Sequence, residues 1–227
     1  MTKKAVILLS GGLDSATSAF IARKDIGKRG ELHALSFDYG QRHKRELQCA
    51  QLLGTALEVE SHTFIKLDLG LLVSTALTNR DIEVPSQGVT EEIPSTWVPQ
   101  RNSVFLAMGF ALAEDVDADS VYTGFNAVDY SGYPDCRPEF VERIELGLNF
   151  ASKRFVTTGR GFSIVTPVMY MTKAETVFSG AKLEVPFELT WSCYKGEDKA
   201  CGVCDSCRIR LKAFEECGME DPLEYVR

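Results

Sequence analysis

The sequence contains no apolar run long enough to cross a membrane. A membrane-spanning helix needs about 20 consecutive apolar residues, whereas the run that follows Lys3 and Lys4 covers only residues 5–9 and ends in Ser10-Gly11-Gly12. The same short run predicts that the chain does not begin with a secretory signal peptide. We therefore expect a cytoplasmic protein.

An excess of basic residues is also missing. The chain has 25 Lys and Arg residues against 32 Asp and Glu residues, and its formal net charge is -7. A broad nucleic-acid surface is normally basic, so we expect a small-molecule substrate and no direct nucleic-acid partner. There is no internal repeat and no low-complexity segment, and the 227 residues, 44% of them hydrophobic, suit one globular domain with room for an appendage.

The lysine of a kinase-type phosphate loop is absent as well. That loop reads G-x-x-x-x-G-K-[ST], whereas the glycine turn here reads Ser10-Gly11-Gly12-Leu13-Asp14-Ser15. The turn joins a predicted buried strand to a predicted helix, so free N–H groups and the positive end of the helix dipole meet there. This arrangement predicts a phosphate site, and the alternative is a helix start merely capped by Asp14 and Ser15.

Strand-like and helix-like segments alternate along most of the chain. Strands are predicted at residues 5–9, 31–37, within 57–65, at 120–124 and at 164–169. Helices are predicted at residues 16–24, 44–53, 103–115, from Pro138, at 172–182 and at 209–217. The alternation predicts an α/β fold with a doubly wound, mostly parallel sheet. Residues 78–100 lose all periodicity, which predicts a lid over the site.

Four of the seven cysteines fall within fifteen residues, as C-x7-C-x2-C-x2-C. Closely spaced thiolates are what a closed, tetrahedral zinc site needs, and a reducing cytoplasm argues against disulfides. Cys193, Cys201, Cys204 and Cys207 are therefore predicted to hold one structural Zn²⁺, with an iron–sulfur cluster as the competing interpretation.

Four blocks together carry a family resemblance. They are SGGLDS at residues 10–15, FDYGQRH at 37–43, NAVDYSGYPDCR at 126–137, and WSCYKG with CGVCDSC between 191 and 207. SGGLDS resembles the SGGxDS loop of the PP-loop ATPases, which cleave ATP to AMP and pyrophosphate. The four blocks together resemble the family of 7-cyano-7-deazaguanine (preQ0) synthases. Gln100 departs from that family, where a smaller residue, usually glycine, is expected.

The resemblance implies a fold, a reaction and partners. The fold is the adenine nucleotide alpha hydrolase-like (HUP) type, with an ATP-pyrophosphatase domain at residues 1–190 and a zinc-binding helical region at 191–227 packed on it. The reaction converts 7-carboxy-7-deazaguanine and ammonia to preQ0, a queuosine precursor, through an amide. Two ATP are consumed, Mg²⁺ is expected with the nucleotide, and a homodimer is expected.

The resemblance also implies roles for single residues. Ser10, Asp14 and Ser15 are predicted to hold the phosphates during catalysis, and Arg101 and Lys173 to offset negative charge there; solvated surface charge is the alternative for these two and for Arg42 and Arg137. The predicted nucleotide-binding residues are Leu9, Ser10, Gly11, Gly12, Leu13, Asp14, Ser15, Ala16, Thr17, Ser18 and Ala19.

Recognition of the deazaguanine is predicted to involve the loop at residues 125–137. A carboxylate accepts two parallel hydrogen bonds from a guanine-like edge, so Asp129 or Asp135 is the predicted partner, and Tyr130 and Tyr133 can stack on the base. The alternative is a structured turn whose aromatic side chains pack on the core. The predicted substrate-binding residues are Tyr39, Gln41, Arg42, Asp129, Tyr130, Tyr133, Asp135 and Arg137.

Two other classes of protein stay open at this stage. A tRNA sulfur transferase of the PP-loop type would use its cysteines in catalysis or in an iron–sulfur cluster, and it would need a basic surface. A non-enzymatic zinc protein would keep the nucleotide fold only for binding or assembly. The acidic balance argues against the first, and the complete set of polar residues in SGGLDS argues against the second.

Overall fold

A computed structural model describes residues 2–41, 45–69, 72, 74–79, 81–84, 93–128, 133–195 and 198–226. Its centre is a five-stranded parallel sheet in the order β3-β2-β1-β4-β5. The strands are β1 Lys4–Leu8, β2 Glu31–Asp38, β3 Ser61–Lys66, β4 Ser120–Tyr122 and β5 Ser163–Val165. The predicted doubly wound fold is confirmed.

Seven helices occur in the described part of the chain. They are α1 Leu13–Ile26, α2 Arg45–Ala56, α3 Arg101–Asp115, α4 Pro138–Phe150, α5 Lys153–Thr158, α6 Lys173–Lys182 and α7 Asp205–Glu216. Two short 3-10 turns lie at Pro134–Cys136 and Phe187–Leu189.

Strand β1 is apolar throughout because both faces of the sheet are covered. Ala5 and Ile7 pack on the face that α1, α2, α6 and α7 cover. Val6 and Leu8 point to the opposite face, under α3 and α4. Side chains alternate along a strand, so a strand with two buried faces reads as a continuous hydrophobic run.

The order of the strands determines where a ligand binds. β1 lies at the centre, β2 and β3 follow on one side of it, and β4 and β5 lie on the other. The connections therefore diverge between β1 and β4, and in open α/β sheets ligands bind beside the carboxyl ends of the strands at such a switch point.

Several predicted element boundaries are confirmed. Pro138 is the first residue of α4, and Thr172 caps α6 in a reciprocal pair with Glu175. Other boundaries were wrong. α7 begins at Asp205 and not at residue 209, α1 begins at Leu13 and not at residue 16, and β4 ends at Tyr122 and not at residue 124. Gly54 lies inside α2 and does not end it, and β5 ends at Val165, after which residues 167–170 form a turn.

Candidate active site

A cavity of about 290 Å³ opens at the carboxyl edge of the sheet. It lies beside the ends of β1 and β4, in front of the first turn of α1. Most of its wall comes from four parts of the chain: the glycine turn, the end of β2 with α2, the start of α3, and the segment that leads into the cysteine cluster. Its polar and charged lining includes Ser10, Asp14, Ser15, Tyr39, Gln41, Glu46, Arg101, Asn102, Tyr133, Lys173, Ser192, Tyr194 and Arg210.

The glycine turn is held in shape by its own hydroxyl groups. The Ser10 and Ser15 Oγ atoms lie 2.9 Å apart, and Ser15 Oγ donates to the carbonyl of Gly12 at 3.0 Å. The Gly12 N–H donates to Ser10 Oγ at 3.3 Å. Gly12 is the residue before α1, so the unpaired N–H groups of the first helical turn are aimed into this region.

Two glycines allow other elements to press against this turn. Gly11 has φ +88°, and a Cβ there would collide with the backbone of α2 at Glu46 and Ala50. A Cβ on Gly124, just beyond β4, would lie 2.6 Å from the backbone nitrogen of Ser15. Both positions therefore require glycine, and the walls of the cavity are built on these close approaches.

Asp14 and Lys173 form an ion pair at the cavity wall. Lys173 Nζ lies 2.7 Å from both carboxylate oxygens of Asp14. The two residues come from the first turns of α1 and α6, which pack side by side. The Asp14 side chain is 27% exposed and that of Lys173 is 14% exposed, so both remain accessible from the cavity.

The opposite wall is aromatic and carries one cation. The rings of Phe37 and Phe105 stack with centroids 3.9 Å apart and planes within 3°. Arg101 lies over the ring of Tyr39, at 5.5 Å from its centroid, and donates to the Tyr39 hydroxyl at 3.2 Å. Gln41 holds this corner, because its side chain accepts from the Tyr39 N–H and donates to the Phe37 carbonyl.

The described end of the 125–137 loop contributes Tyr133 to the cavity. Its hydroxyl is 2.6 Å from that of Thr96. Asp135 is buried outside the cavity lining, where one carboxylate oxygen accepts from Trp97 Nε1 and the other from the backbone N–H of Asn102. Asp135 therefore secures the start of α3. Arg137 is exposed at the start of α4, and the cavity lining does not include it.

The structure brings together part of the predicted set and separates the rest. Of the predicted nucleotide-binding range, Leu9, Ser10, Gly12, Leu13, Asp14 and Ser15 line the cavity, whereas Ala16, Thr17, Ser18 and Ala19 are fully buried. Their side chains face the core because α1 runs back along the sheet, so they do not line the cavity. Arg42, Asp129 and Tyr130 lie outside the described residues.

The four cysteines predicted to bind a metal converge on one point. Their sulfur atoms all lie within 4.8 Å of one another. Backbone N–H groups of Lys195 and Cys201 donate to Cys193 Sγ, and hydrogen bonds with the Cys204 and Cys207 thiols lower the pKa of Cys193. Cys193 therefore favours the thiolate, the form that binds metal, whereas hydrogen bonds with Cys193 raise the pKa of the Cys204 and Cys207 thiols.

The cysteine region is joined directly to the glycine turn. The N–H of Trp191, two residues before Cys193, donates to the carbonyl of Gly11 at 2.9 Å. Behind it, Arg210 on α7 is 2% exposed and pairs with Asp221, and it also donates to Thr190 and the Phe187 carbonyl. Sequence reasoning missed this clamp, because nothing in the spacing of Arg210 signals a partner.

Sequence reasoning also missed Glu46. It lies in the first turn of α2 and lines the cavity. Burial raises the pKa of its carboxyl to about 7, although Arg101 acts in the opposite direction. A signal was available: an acidic residue in the first helical turn directly after a motif at the carboxyl edge of the sheet.

Comparison with known proteins decides the family. The family model described as "Queuosine biosynthesis protein QueC" matches residues 4–218. The chain belongs to this family. A 7-cyano-7-deazaguanine synthase of Thermoplasma volcanium is 48% identical over 100% of this chain and 92% of that protein. One from Geobacter sp. strain M21 is 49% identical over 100% of both chains.

One solved structure shares the fold of this QueC family member. NMN synthetase from Francisella tularensis superposes with a TM-score of 0.52 at 17% identity, covering 96% of this chain and 79% of that one. None of the helices described for this chain is long and apolar enough to cross a bilayer.

Proposed function

We propose that this protein is an ATP-dependent ligase that converts 7-carboxy-7-deazaguanine and ammonia to 7-cyano-7-deazaguanine (preQ0). The observation that carries the proposal is one cavity with two unlike walls. The glycine turn at residues 10–15, called the PP-loop from here on, contributes its hydroxyls to one side, where the Asp14–Lys173 pair also lies. The aromatic wall of Phe37, Tyr39 and Phe105 lies on the other. A phosphate chain and a flat heterocycle can meet there.

The PP-loop is proposed to hold the β- and γ-phosphates of ATP. Ser10, Ser15 and the first N–H groups of α1 supply donors, and Lys173 supplies positive charge. A carboxylate has about four acceptor positions, so Asp14 keeps lone pairs for Mg²⁺ while it accepts from Lys173. The metal would supply charge neutralisation as pyrophosphate departs.

The reaction needs adenylation because a carboxylate oxygen is a poor leaving group. Attack of that oxygen on the α-phosphorus of ATP expels pyrophosphate and leaves an acyl adenylate. Ammonia then displaces AMP and gives the amide. Removal of the amide oxygen requires a second ATP and the same site. Arg101 stands on the wall opposite the PP-loop, where it can offset the negative charge of the substrate carboxylate.

Asp129 is our proposed partner for the guanine-like edge. Of the two candidate carboxylates, Asp135 already accepts from Trp97 and Asn102, and it lies outside the cavity lining. Tyr39, Gln41 and Tyr133 line the cavity, and Arg42 and Tyr130 complete the proposed set. Arg137 is left out because it is exposed and lies outside the lining.

The cysteine cluster is proposed to hold one structural zinc ion. Four sulfur atoms at about 2.3 Å from a tetrahedral ion stand roughly 3.8 Å apart. The Cys201 and Cys207 sulfurs are 4.0 Å apart, which suits a single ion. In an iron–sulfur cubane each cysteine binds a different iron, so the sulfurs must spread further. A cytoplasmic homodimer that takes ammonia as its nitrogen source, without a nucleic-acid partner, completes the proposal.

Mass spectrometry of the products tests the function. Protein incubated with 7-carboxy-7-deazaguanine, ammonium, ATP and Mg²⁺ should yield preQ0, AMP and pyrophosphate. Asp14→Asn keeps the size of the side chain but loses the ion pair with Lys173, so its product yield should fall by about 100-fold or more. Exposed Glu142→Gln on α4 is the matched control. AMP formation that does not depend on the deazaguanine would refute the assignment.

A further inference from the structure

Glu46 is held at a fixed place in the cavity wall. It belongs to the first turn of α2, and the carbonyl of the same residue presses against Gly11, where a Cβ would collide with it. Its carboxyl lines the cavity together with the PP-loop and Tyr39. The backbone of Glu46 therefore has a fixed position relative to the PP-loop.

Among the described residues, none forms a hydrogen bond or an ion pair with the Glu46 carboxylate. Two carboxylates line the cavity in the described part of the chain, Asp14 and Glu46. Asp14 is bonded through both oxygens to Lys173. The described residues give Glu46 no hydrogen bond and no ion pair, so its lone pairs remain available to a ligand.

The groups around Glu46 leave it free to gain and lose a proton near neutral pH. Arg101 faces it from α3 and Tyr39 from the end of β2, while Cys49 lies one turn along its own helix. Burial raises the pKa of both the Tyr39 hydroxyl and the Cys49 thiol, so these two are neutral. Burial also raises the pKa of Glu46 to about 7, which is where a general base works best at physiological pH.

We propose that Glu46 binds ammonium in the cavity and is the general base that takes protons from nitrogen in both halves of the reaction. The proposal rests on the proposed function. It assigns to Glu46 a task for which the other described groups of the cavity are less suited. Asp14 already accepts from Lys173 through both oxygens, and the remaining side chains of the PP-loop and the aromatic wall are donors or neutral acceptors.

In the first half, ammonium gives one proton to the Glu46 carboxylate and becomes ammonia. Its lone pair attacks the acyl carbon of the adenylate and a C–N bond forms. The C–O bond to AMP then breaks, and its electron pair leaves with AMP. Glu46 passes the first proton to water. It then takes a second proton from the nitrogen as the amide forms.

In the second half, the amide oxygen attacks the α-phosphorus of a second ATP and expels pyrophosphate. The nitrogen of the adenylated amide then carries two protons, and both must leave before a nitrile exists. Glu46 takes one of them. The other passes to water as the C–O bond to AMP breaks and the C≡N bond is completed, with AMP again keeping the electron pair.

Glu46→Gln tests the assignment, because glutamine preserves size but cannot accept the proton. Adenylation alone needs no base at nitrogen. In the Glu46→Gln variant, the exchange of labelled pyrophosphate into ATP that depends on 7-carboxy-7-deazaguanine should therefore stay within about threefold of the wild-type rate when ammonium is left out. Formation of preQ0 from the amide and ATP should fall by about 100-fold or more. The wild-type rate from the amide should rise with pH up to about 7, and the variant should lose that rise.

Two results would overturn the proposal. One is a Glu46→Gln variant that makes preQ0 from the amide at the wild-type rate. The other is loss of pyrophosphate exchange in parallel with product formation, which would mean that Glu46 only supports the PP-loop. Glu142→Gln serves as control for the substitution itself. If the wild-type protein shows no exchange of labelled pyrophosphate into ATP that depends on 7-carboxy-7-deazaguanine, the proposed function is refuted, and this proposal with it.

Discussion

Gln100 adopts a left-handed conformation, with φ 58° and ψ 11°, at the residue before α3. Only glycine takes this conformation without cost, and for other residues it costs roughly 1 to 2 kcal/mol. This cost explains why glycine is the residue expected here from the family resemblance. Ser103 Oγ donates to Gln100 Oε1 at 2.7 Å and returns part of the cost.

Gln100→Gly should therefore be more stable than Gln100→Ala. Both variants lose the bond from Ser103, but only the alanine keeps a Cβ in the left-handed region, so the difference in unfolding free energy should be about 1 kcal/mol. Urea denaturation of the two variants measures it. Equal stability would mean that the turn relaxes to another conformation.

His62 makes stability depend on pH. Its Nε2 lies 2.8 Å from Ser36 Oγ, and its buried Nδ1 has no hydrogen-bond partner in the described structure. Burial lowers the pKa of His62 to about 4, against about 6.5 in an unfolded chain. The native state thus binds fewer protons than the unfolded state between these two values.

Stability should consequently fall as the pH drops from about 6.5 to 4, by at most about 1.4 kcal/mol per pH unit from this residue. His62→Gln keeps a polar group near Ser36 but does not titrate, so its stability should change less over the same interval. Urea midpoints at pH 6.5, 5.5 and 4.5 provide the measurement. Parallel curves for the two proteins would show that His62 is not responsible.

The cysteine region and the PP-loop are neighbouring elements that share a hydrogen bond. Trp191 packs with Cys193, Cys204 and Cys207, and its N–H donates to Gly11. Loss of the metal should therefore loosen the backbone of the PP-loop as well as the C-terminal region.

Cys204→Ser should lose most of its zinc, unfold at a lower temperature and bind ATP more weakly. Cys217→Ser is the matched control, because Cys217 lies outside the cluster and donates only to the Ala174 carbonyl, a bond that serine can keep. Elemental analysis, thermal unfolding and nucleotide titration make the comparison. Iron with sulfide in the wild-type protein, or full zinc in Cys204→Ser, would contradict the zinc assignment.

The elements with a strong local signal were predictable, and the others were not. The apolar run at residues 5–9 and the glycine turn after it predicted β1 and α1, and Pro138 and Thr172 indicated where helices begin. Helix α5 was missed because it is a single short segment, Lys153–Thr158, with no buried residue. The helix predicted at residues 44–53 continues through Gly54, where the missing side chain allows α2 to pack closely on His62.

The site divides in the same way. The PP-loop and the four-cysteine metal site could be predicted, because the residues of each lie close together in the sequence and their spacing is enough to indicate a shared site. The burial of Asp135 against Trp97 and Asn102 could not be foreseen, since it depends on contacts between distant segments. The same holds for Lys173, whose partner Asp14 lies 159 residues away.

On the scale of the whole molecule, the chain has one PP-loop and one cavity next to it, in the part that the structure describes. A carboxylate has two oxygens and a nitrile has none. If each oxygen leaves on AMP, the same loop must release AMP and pyrophosphate and bind a second ATP before the nitrile can form. The amide must therefore be both a product and a substrate of this site.

The ratio of AMP to preQ0 tests this central claim most directly. Quantitative chromatography should find two AMP per preQ0 from 7-carboxy-7-deazaguanine with ammonium, and one AMP per preQ0 from the amide with ATP and no ammonium. A ratio of one from the acid, or an amide that accumulates and is never consumed, would contradict the account and leave an amide-forming ligase.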